Sequence, residues 1–174
     1  EWYEIYLMKK NKYTIKDNIK NFRSDTVSLD YGITDQISKM DKIQNKAWSS
    51  HTLVELIQEY GYEFIFKNLN RKNVGNCENS HNIDGKFFDR YELFFINYYN
   101  DLLKNVFDLS KINTVVEIGG GYGVLARIIL NNHNCKYISI DLPEQNLLQS
   151  YYLNESLPEL KKYLYNNYLK EKNE

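Results

Sequence analysis

The sequence predicts an α/β fold, in which a mainly helical N-terminal region (residues 1–84) precedes a βαβ unit with parallel strands inside residues 85–174. Two runs of β-branched and other apolar residues, at 114–118 and 136–140, are typical of buried strands. A helical apolar pattern separates them at the spacing that a parallel crossover requires. Upstream, apolar residues recur mainly at helical spacing.

The N-terminal region is predicted to be helical with two polar interruptions. Residues 1–20 mix apolar residues with lysines, which favours a partly amphipathic helix, and a polar loop follows at 21–32. Capping residues at Thr34–Gln36 and at Ser49-Ser50 predict the starts of two further helices. The Asn-rich stretch 68–84 is predicted to be a second loop.

The clearest helical pattern covers Gly85–Phe107, where aromatic residues recur on one broad face. We expect a core helix that packs on the sheet that follows it. Because this helix leads directly into the first strand, its polar members Arg90, Tyr91 and Tyr98 are secondary candidates for a ligand pocket.

The first predicted strand, Thr114–Ile118, is expected to be buried on both faces because of its β-branched run. The next five residues, Gly119–Gly123, contain four glycines, more than packing needs, and allow a ligand to approach the backbone closely. A helix predicted at Tyr122–Leu130 presents unpaired N–H groups and a positive dipole end at this turn. The second predicted strand is Lys136–Ile140.

Two acids stand where a ligand of such a sheet is expected. Ligands bind beyond the carboxyl ends of parallel strands, and Glu117 and Asp141 lie at those ends. Asp141 is also placed to cap the next helix, which is predicted at 144–154 with Pro143 in its first turn.

The remaining residues of this half have plainer interpretations. Two roles are left open for Tyr122, lining a pocket or packing against other residues. Arg127 is expected to be a solvated helix residue. A last helix is predicted at 157–170. The lysine-rich tail 161–174 interleaves acidic residues, which favours an exposed helical face over a nucleic-acid patch.

Two cofactors compete for the glycine turn. The dinucleotide pattern G-x-G-x-x-A fits Gly121, Gly123 and Ala126, with Asp141 at a suitable distance, so an NAD site stays open. That register leaves two extra glycines after the strand, and dinucleotide sites seldom place an acid such as Glu117 at the strand end.

The string Glu117-x-Gly119-x-Gly121-x-Gly123 resembles the first motif of class I S-adenosylmethionine-dependent methyltransferases, which implies a Rossmann-like fold, present here in part. In that family the glycines pass beneath the methionine part of the cofactor. The resemblance implies that Glu117 holds the amino group, that Asp141 accepts bonds from the ribose hydroxyls, and that Leu142 lies against adenine. The implied cofactor-binding residues are Glu117, Gly119, Gly120, Gly121, Tyr122, Gly123, Asp141 and Leu142.

The segments 116–127, 137–144 and 148–153 are similar to the sugar O-methyltransferase family, and the likeness covers about Gly85–Leu153. It implies methyl transfer to a sugar hydroxyl of a small-molecule or glycan acceptor, in polysaccharide biosynthesis. The reaction would be an in-line attack that depends on positioning and on a base that the sequence does not identify.

A complete sheet of that family has further strands, and residues 85–174 show only its N-terminal part. The start at Glu1 favours a fragment of a longer enzyme, and we expect weak cofactor binding and little or no turnover. Two other interpretations stay open: a fragment of an NAD-dependent oxidoreductase, and a non-catalytic helical interaction protein with a vestigial nucleotide-binding unit.

Composition limits the other function classes. A net charge of −1 gives no electrostatic reason to expect nucleic acid or an anionic membrane as partner, and no apolar run is long enough to cross a bilayer. With no secretory leader and no C-x-x-C pairing of Cys77 with Cys135, a reduced cytoplasmic protein is expected. His51, His81 and His133 lack metal-ligand spacing, so no metal site is predicted.

Overall fold

The computed structural model describes residues 19–24, 42–105 and 111–161. This part of the chain is mixed α/β, which agrees with the predicted fold class. Most of the helix predicted at 1–20, the cap at Thr34–Gln36 and most of the helix predicted at 157–170 lie outside the described residues. The elements in chain order are α1 (Lys42–Tyr60), α2 (Tyr62–Asn68), β1 (His81–Ile83), β2 (Lys86–Phe88), α3 (Arg90–Asn105), β3 (Thr114–Ile118), α4 (Val124–Asn132), β4 (Lys136–Ile140) and α5 (Pro143–Ser156).

The predicted βαβ unit is confirmed. Strands β3 and β4 have the predicted bounds and pair in parallel, with Thr114 opposite Lys136 and Ile118 opposite Ile140. Helix α4 connects them, and α5 follows with Pro143 in its first turn, as predicted. The carboxyl ends of both strands therefore meet at one edge of the sheet.

The expectation that β3 is buried on both faces is wrong. Val116 and Ile118 are 57% and 81% exposed, and Ile140 beside them is 52% exposed. Val115 and Tyr137, on the other face, pack against the hydrophobic core. Among the described residues, helices cover only that second face, so the β-branched run is half-exposed although its composition suits a buried strand.

A β-hairpin replaces part of the loop predicted at 68–84 and the start of the predicted helix. Strands β1 and β2 pair antiparallel, with His81 opposite Phe88. The turn between them consists of Asp84 and Gly85, which have φ angles of 48° and 75°. An Asp-Gly pair with two positive φ angles is a typical two-residue hairpin turn.

Helix α3 begins at Arg90 and not at Gly85 as predicted. Asp89 sets this start, because its Oδ1 accepts hydrogen bonds from the backbone N–H groups of Tyr91 at 2.8 Å and Glu92 at 3.0 Å. A carboxylate at this position satisfies N–H groups that the helix leaves unpaired and favours the positive end of its dipole.

Other helix boundaries also differ from the prediction, and α4 spans Val124–Asn132 where Tyr122–Leu130 was predicted. Helix α1 runs without a break through Ser49-Ser50, so these serines do not begin a helix, and Ser49 is buried inside it. Leu157 ends α5, and residues 157–161 form a turn where the start of a last helix was predicted. Serine is a common cap, but packing of α1 on α3 extends the helix past it.

One hydrophobic core joins the helices to the inner face of the sheet. The predicted division at 84/85 falls in the turn of the β1–β2 hairpin, and residues from both sides of it enter this core. The buried members are Phe22, Leu53, Leu56, Ile65, Leu69, Val74, Phe88, Leu93, Ile96, Tyr99, Val124, Ile128, Ile129, Leu148 and Tyr152.

Cys77 and Cys135 are free, partly buried thiols. Burial raises the pKa of the Cys77 thiol to about 12, so it is a poor nucleophile at neutral pH. Within the described ranges, no helix is both long and apolar enough to cross a membrane.

Candidate functional site

The glycine turn lies between the end of β3 and the start of α4. Gly119 and Gly121 have φ angles of 75° and 57°, in the left-handed region that disfavours other residues. The Gly119 N–H donates to the Ile140 carbonyl at 3.0 Å, which extends the parallel pairing by one bond. Gly123 precedes the first residue of α4, also with a positive φ, so the turn aims the helix N-terminus at the sheet edge.

Asp141 connects the glycine turn to the end of β4. Its Oδ2 accepts a hydrogen bond from the Gly121 N–H at 3.1 Å, and its Oδ1 accepts one from the Leu142 N–H at 2.8 Å. The N-cap of α5 is Leu142, without a side-chain cap bond, so Asp141 holds the turn more than it caps the helix. A carboxylate has about four lone-pair positions, which leaves acceptor capacity for a ligand.

Glu117 lies beneath the turn. A Cβ built on Gly120 would collide with Oε2 of Glu117 and would come within 3.0 Å of Nε2 of Gln149. Burial raises the pKa of Glu117, Tyr137 opposes this rise, and the charge of Asp141 adds to it. The acid therefore sits on the inner side of the glycine backbone, and a side chain at position 120 would have to displace it.

The other glycines divide into an inner and an outer set. A Cβ on Gly123 would lie 2.6 Å from Cγ of Gln149, whereas one on Gly119 would meet no atom within 4 Å. A Cβ on Gly121 would meet only the Tyr91 hydroxyl, at 3.7 Å. Together with Leu142, which is 64% exposed, Gly119 and Gly121 form the open side of the site.

The contacts of Tyr122 favour a packing role. Its ring lies 5.1 Å from each of the rings of Phe22, Tyr91 and Tyr152, and the Arg23 guanidinium lies over it at 5.1 Å. We call these four residues the Tyr122 cage. Burial raises the pKa of the Tyr122 hydroxyl well above its ordinary value. Of the secondary candidates, Tyr91 adjoins the turn, and Tyr98 is 44% exposed on α3.

Buried polar atoms without a hydrogen-bond partner concentrate at this site. The described residues contain eight such side-chain atoms, and five of them belong to the glycine turn, to the two strands that flank it or to α5. Buried polar groups are nearly always paired with protein atoms, water or a ligand, so these are the atoms that water or a bound polar group would satisfy. Four of them are Glu117 Oε2, Tyr122 Oη, Ser139 Oγ and Gln149 Nε2, and the fifth, Tyr137 Oη, lies close enough to the Glu117 carboxyl to oppose the rise of its pKa.

Sequence reasoning missed Tyr137, Ser139 and Gln149 as members of the site. Strand alternation was the available signal, because Ser139 pairs with Glu117 in register and Tyr137 lies on the same face. No comparable pattern marks Gln149, which reaches the turn from α5.

The expectation that Arg127 is solvated is wrong. Its Nη2 pairs with Oε2 of Glu92 at 2.6 Å, and its Nε donates to the Tyr152 hydroxyl at 3.0 Å. The Tyr152 hydroxyl donates in turn to Oε1 of Glu92 at 2.6 Å and accepts from Asn70 at 3.1 Å. Burial lowers the pKa of Arg127, but Tyr152 and Glu92 outweigh it and raise the pKa above its ordinary value. We call Glu92, Arg127 and Tyr152 the buried triad.

The described residues contain no group of three or more His, Cys, Asp or Glu side chains that could hold a metal ion. Comparison of the chain with models of protein families, with curated proteins and with solved structures finds no match. Function is therefore inferred from the chemistry of the site itself.

Proposed function

We propose that this chain is the cofactor-binding part of an S-adenosylmethionine-dependent methyltransferase. The observation that supports it most is the position of Glu117 beneath Gly120, at the edge where Asp141 meets the turn. A ligand lying on the turn would have a buried carboxyl directly under it. Such a site favours a positively charged group, since opposite charges attract strongly away from bulk water.

The side chains present fit the parts of this cofactor. Glu117, with one unpaired buried oxygen, suits the ammonium group of the methionine part. The N-terminus of α4 suits its carboxylate, because unpaired N–H groups and the helix dipole favour an anion there. Asp141 retains acceptor capacity for ribose hydroxyls, and the exposed Leu142 offers an apolar contact for adenine.

The buried carboxyl of Glu117 also argues against the alternative of an NAD site. In dinucleotide sites the pyrophosphate lies over the glycine turn at the helix N-terminus. Here that would set a doubly charged group above Glu117 and near Asp141, and like charges in a partly buried site repel. We infer that the turn is built for a zwitterionic amino-acid group and not for a pyrophosphate.

When bound, S-adenosylmethionine supplies a methyl group on a positively charged sulfonium. The chain's own residues would bind and orient the cofactor, with Glu117 and Asp141 as its two anionic contacts. A sugar hydroxyl as acceptor is proposed from the resemblance of residues 116–153, and the free thiols of Cys77 and Cys135 agree with a cytoplasmic site of action.

The test is a pair of calorimetric titrations of the full chain, with S-adenosylhomocysteine and with NAD. We expect the first ligand alone to bind, and Glu117→Gln to weaken it at least about tenfold, since a charged hydrogen bond contributes about 1.5–3 kcal/mol. Binding of NAD alone would overturn the proposal. If neither ligand binds, the interpretation as a non-catalytic interaction protein becomes the better one.

A further inference from the structure

We propose that Phe22 and Arg23 are positioning residues for the glycine turn and act on it through Tyr122. Their segment, residues 19–24, is remote from the turn in sequence, and no motif marks it. Phe22 and Arg23 act on the conformation of the turn in the same way whichever ligand occupies it.

The glycine turn has a backbone hydrogen bond of its own, from the Gly123 N–H to the Gly120 carbonyl at 3.2 Å. Tyr122 is flanked by Gly121 and Gly123, and glycine allows a wide range of backbone angles. Because its glycines are so permissive, we infer that external contacts also help to select the conformation that is observed. The Ile140 carbonyl provides one such contact to the Gly119 N–H, Asp141 provides a second to the Gly121 N–H, and the Tyr122 ring provides a third through its cage.

On the side away from Tyr122, segment 19–24 is hydrogen-bonded to and packed against residues 74–75. The Arg23 N–H donates to the Gly75 carbonyl at 2.9 Å, and Nη1 of Arg23 donates to the Val74 carbonyl at 3.3 Å. Phe22 is 6% exposed and lies so close to Gly75 that a Cβ there would come within 2.6 Å of its ring. Movement of Tyr122 would therefore displace a buried and hydrogen-bonded segment.

Arg23 adds a charged link between the turn and the start of α3. Its guanidinium pairs with Asp89, which caps the start of α3, and lies 3.9 Å from Glu92 of the buried triad. The same group covers the Tyr122 ring at 5.1 Å. A planar guanidinium can stack on a ring and bond a carboxylate at once. Arg23 thus fixes the ring relative to two charged groups of α3.

The test is hydrogen–deuterium exchange of the full chain, comparing the peptide that contains residues 119–124 with the α2 peptide 62–68. The double variant Arg23→Met/Asp89→Asn removes both charges together, so no buried charge is left unpaired, and asparagine still begins α3 well. We expect exchange at 119–124 to accelerate at least about fivefold while α2 is unchanged, because local opening need not involve the whole fold.

A matched control variant removes a different hydrogen bond of segment 19–24. Nδ2 of Asn76 donates to Oδ1 of Asn21 at 2.6 Å, and Asn76→Gly removes this bond at a positive φ that glycine tolerates. We expect it to leave 119–124 unchanged. The proposal is overturned if the double variant leaves the turn unchanged, or if the turn and α2 accelerate equally. Should the double variant not fold, Phe22→Leu is subjected to the same comparison.

Discussion

Glu92 and Arg127 form a 2.6 Å ion pair in which both side chains are almost completely buried, with 2% and 3% exposed. The pair connects α3 to α4, and the Tyr152 hydroxyl of α5 donates to the second oxygen of Glu92. One carboxylate therefore holds three helices together behind the glycine turn. Neither residue stands out in the sequence as more than a helical surface charge.

We predict that Arg127→Met lowers the free energy of unfolding by about 3–5 kcal/mol, because it leaves the Glu92 carboxylate buried without its cation. Urea denaturation measures this loss. The exposed pair between Lys104 and Glu59, at 3.0 Å, is the control, and Lys104→Met should have no measurable effect. Equal effects of the two substitutions would contradict the role given to the buried triad.

Gly119 and Gly85 provide a matched test of the open side of the site. Both have φ 75°, and a Cβ on either meets no atom within 4 Å. Alanine at either position should cost about 1–2 kcal/mol of backbone strain. Only Gly119→Ala should also weaken S-adenosylhomocysteine binding in calorimetry. Equal affinities of the two variants would show that Gly119 does not face the ligand.

The outer face of the sheet and the buried core should respond differently to truncation. Ile118 is 81% exposed and Ile128 of α4 is fully buried. We predict that Ile128→Ala costs about 2–5 kcal/mol in urea denaturation, while Ile118→Ala stays within about 0.5 kcal/mol. A large loss for Ile118→Ala would mean that the outer face of β3 is covered in solution.

Glu117 should make stability depend on pH. Its folded-state pKa is raised above the ordinary value of 4.5. The protonated form is therefore favoured by folding, and this contribution is fully present below pH 4.5 and is lost as pH rises through the folded pKa. The unfolding free energy of the native chain, minus that of Glu117→Gln, should fall across this window. A difference that rises or stays flat would show that the carboxyl is not buried as described.

The local signals of the βαβ unit were sufficient to predict it from sequence. The apolar and β-branched runs of β3 and β4 predicted both ends of each strand correctly. The glycines between the strands predicted the turn. Composition did not show that one sheet face is exposed, because Val116 and Ile118 are as apolar as residues of a buried strand. Whether other elements cover a strand face depends on tertiary packing, which the residues of the strand do not determine by themselves.

The hairpin was predictable and was missed. Asp84-Gly85 between His81–Ile83 and Lys86–Phe88 is a strong hairpin signal, but the aromatic pattern that continues to Phe107 favoured one long helix. In contrast, no local pattern could have revealed the burial of Arg127 or the approach of Arg23 to Tyr122. Both depend on partners far away in sequence, Glu92 and Asp89, which only the folded chain brings close.

The most direct test of the central claim is an amide NMR titration of the full chain with S-adenosylhomocysteine. The claim predicts that saturable shifts concentrate at Gly119, Gly121 and Leu142, with little change in α1 or α2. The variant Asp141→Asn, which keeps one oxygen to accept from the backbone but loses the charge, should need a higher ligand concentration for the same shifts. Saturable shifts elsewhere in the chain, with the glycine turn unmoved, would contradict the account.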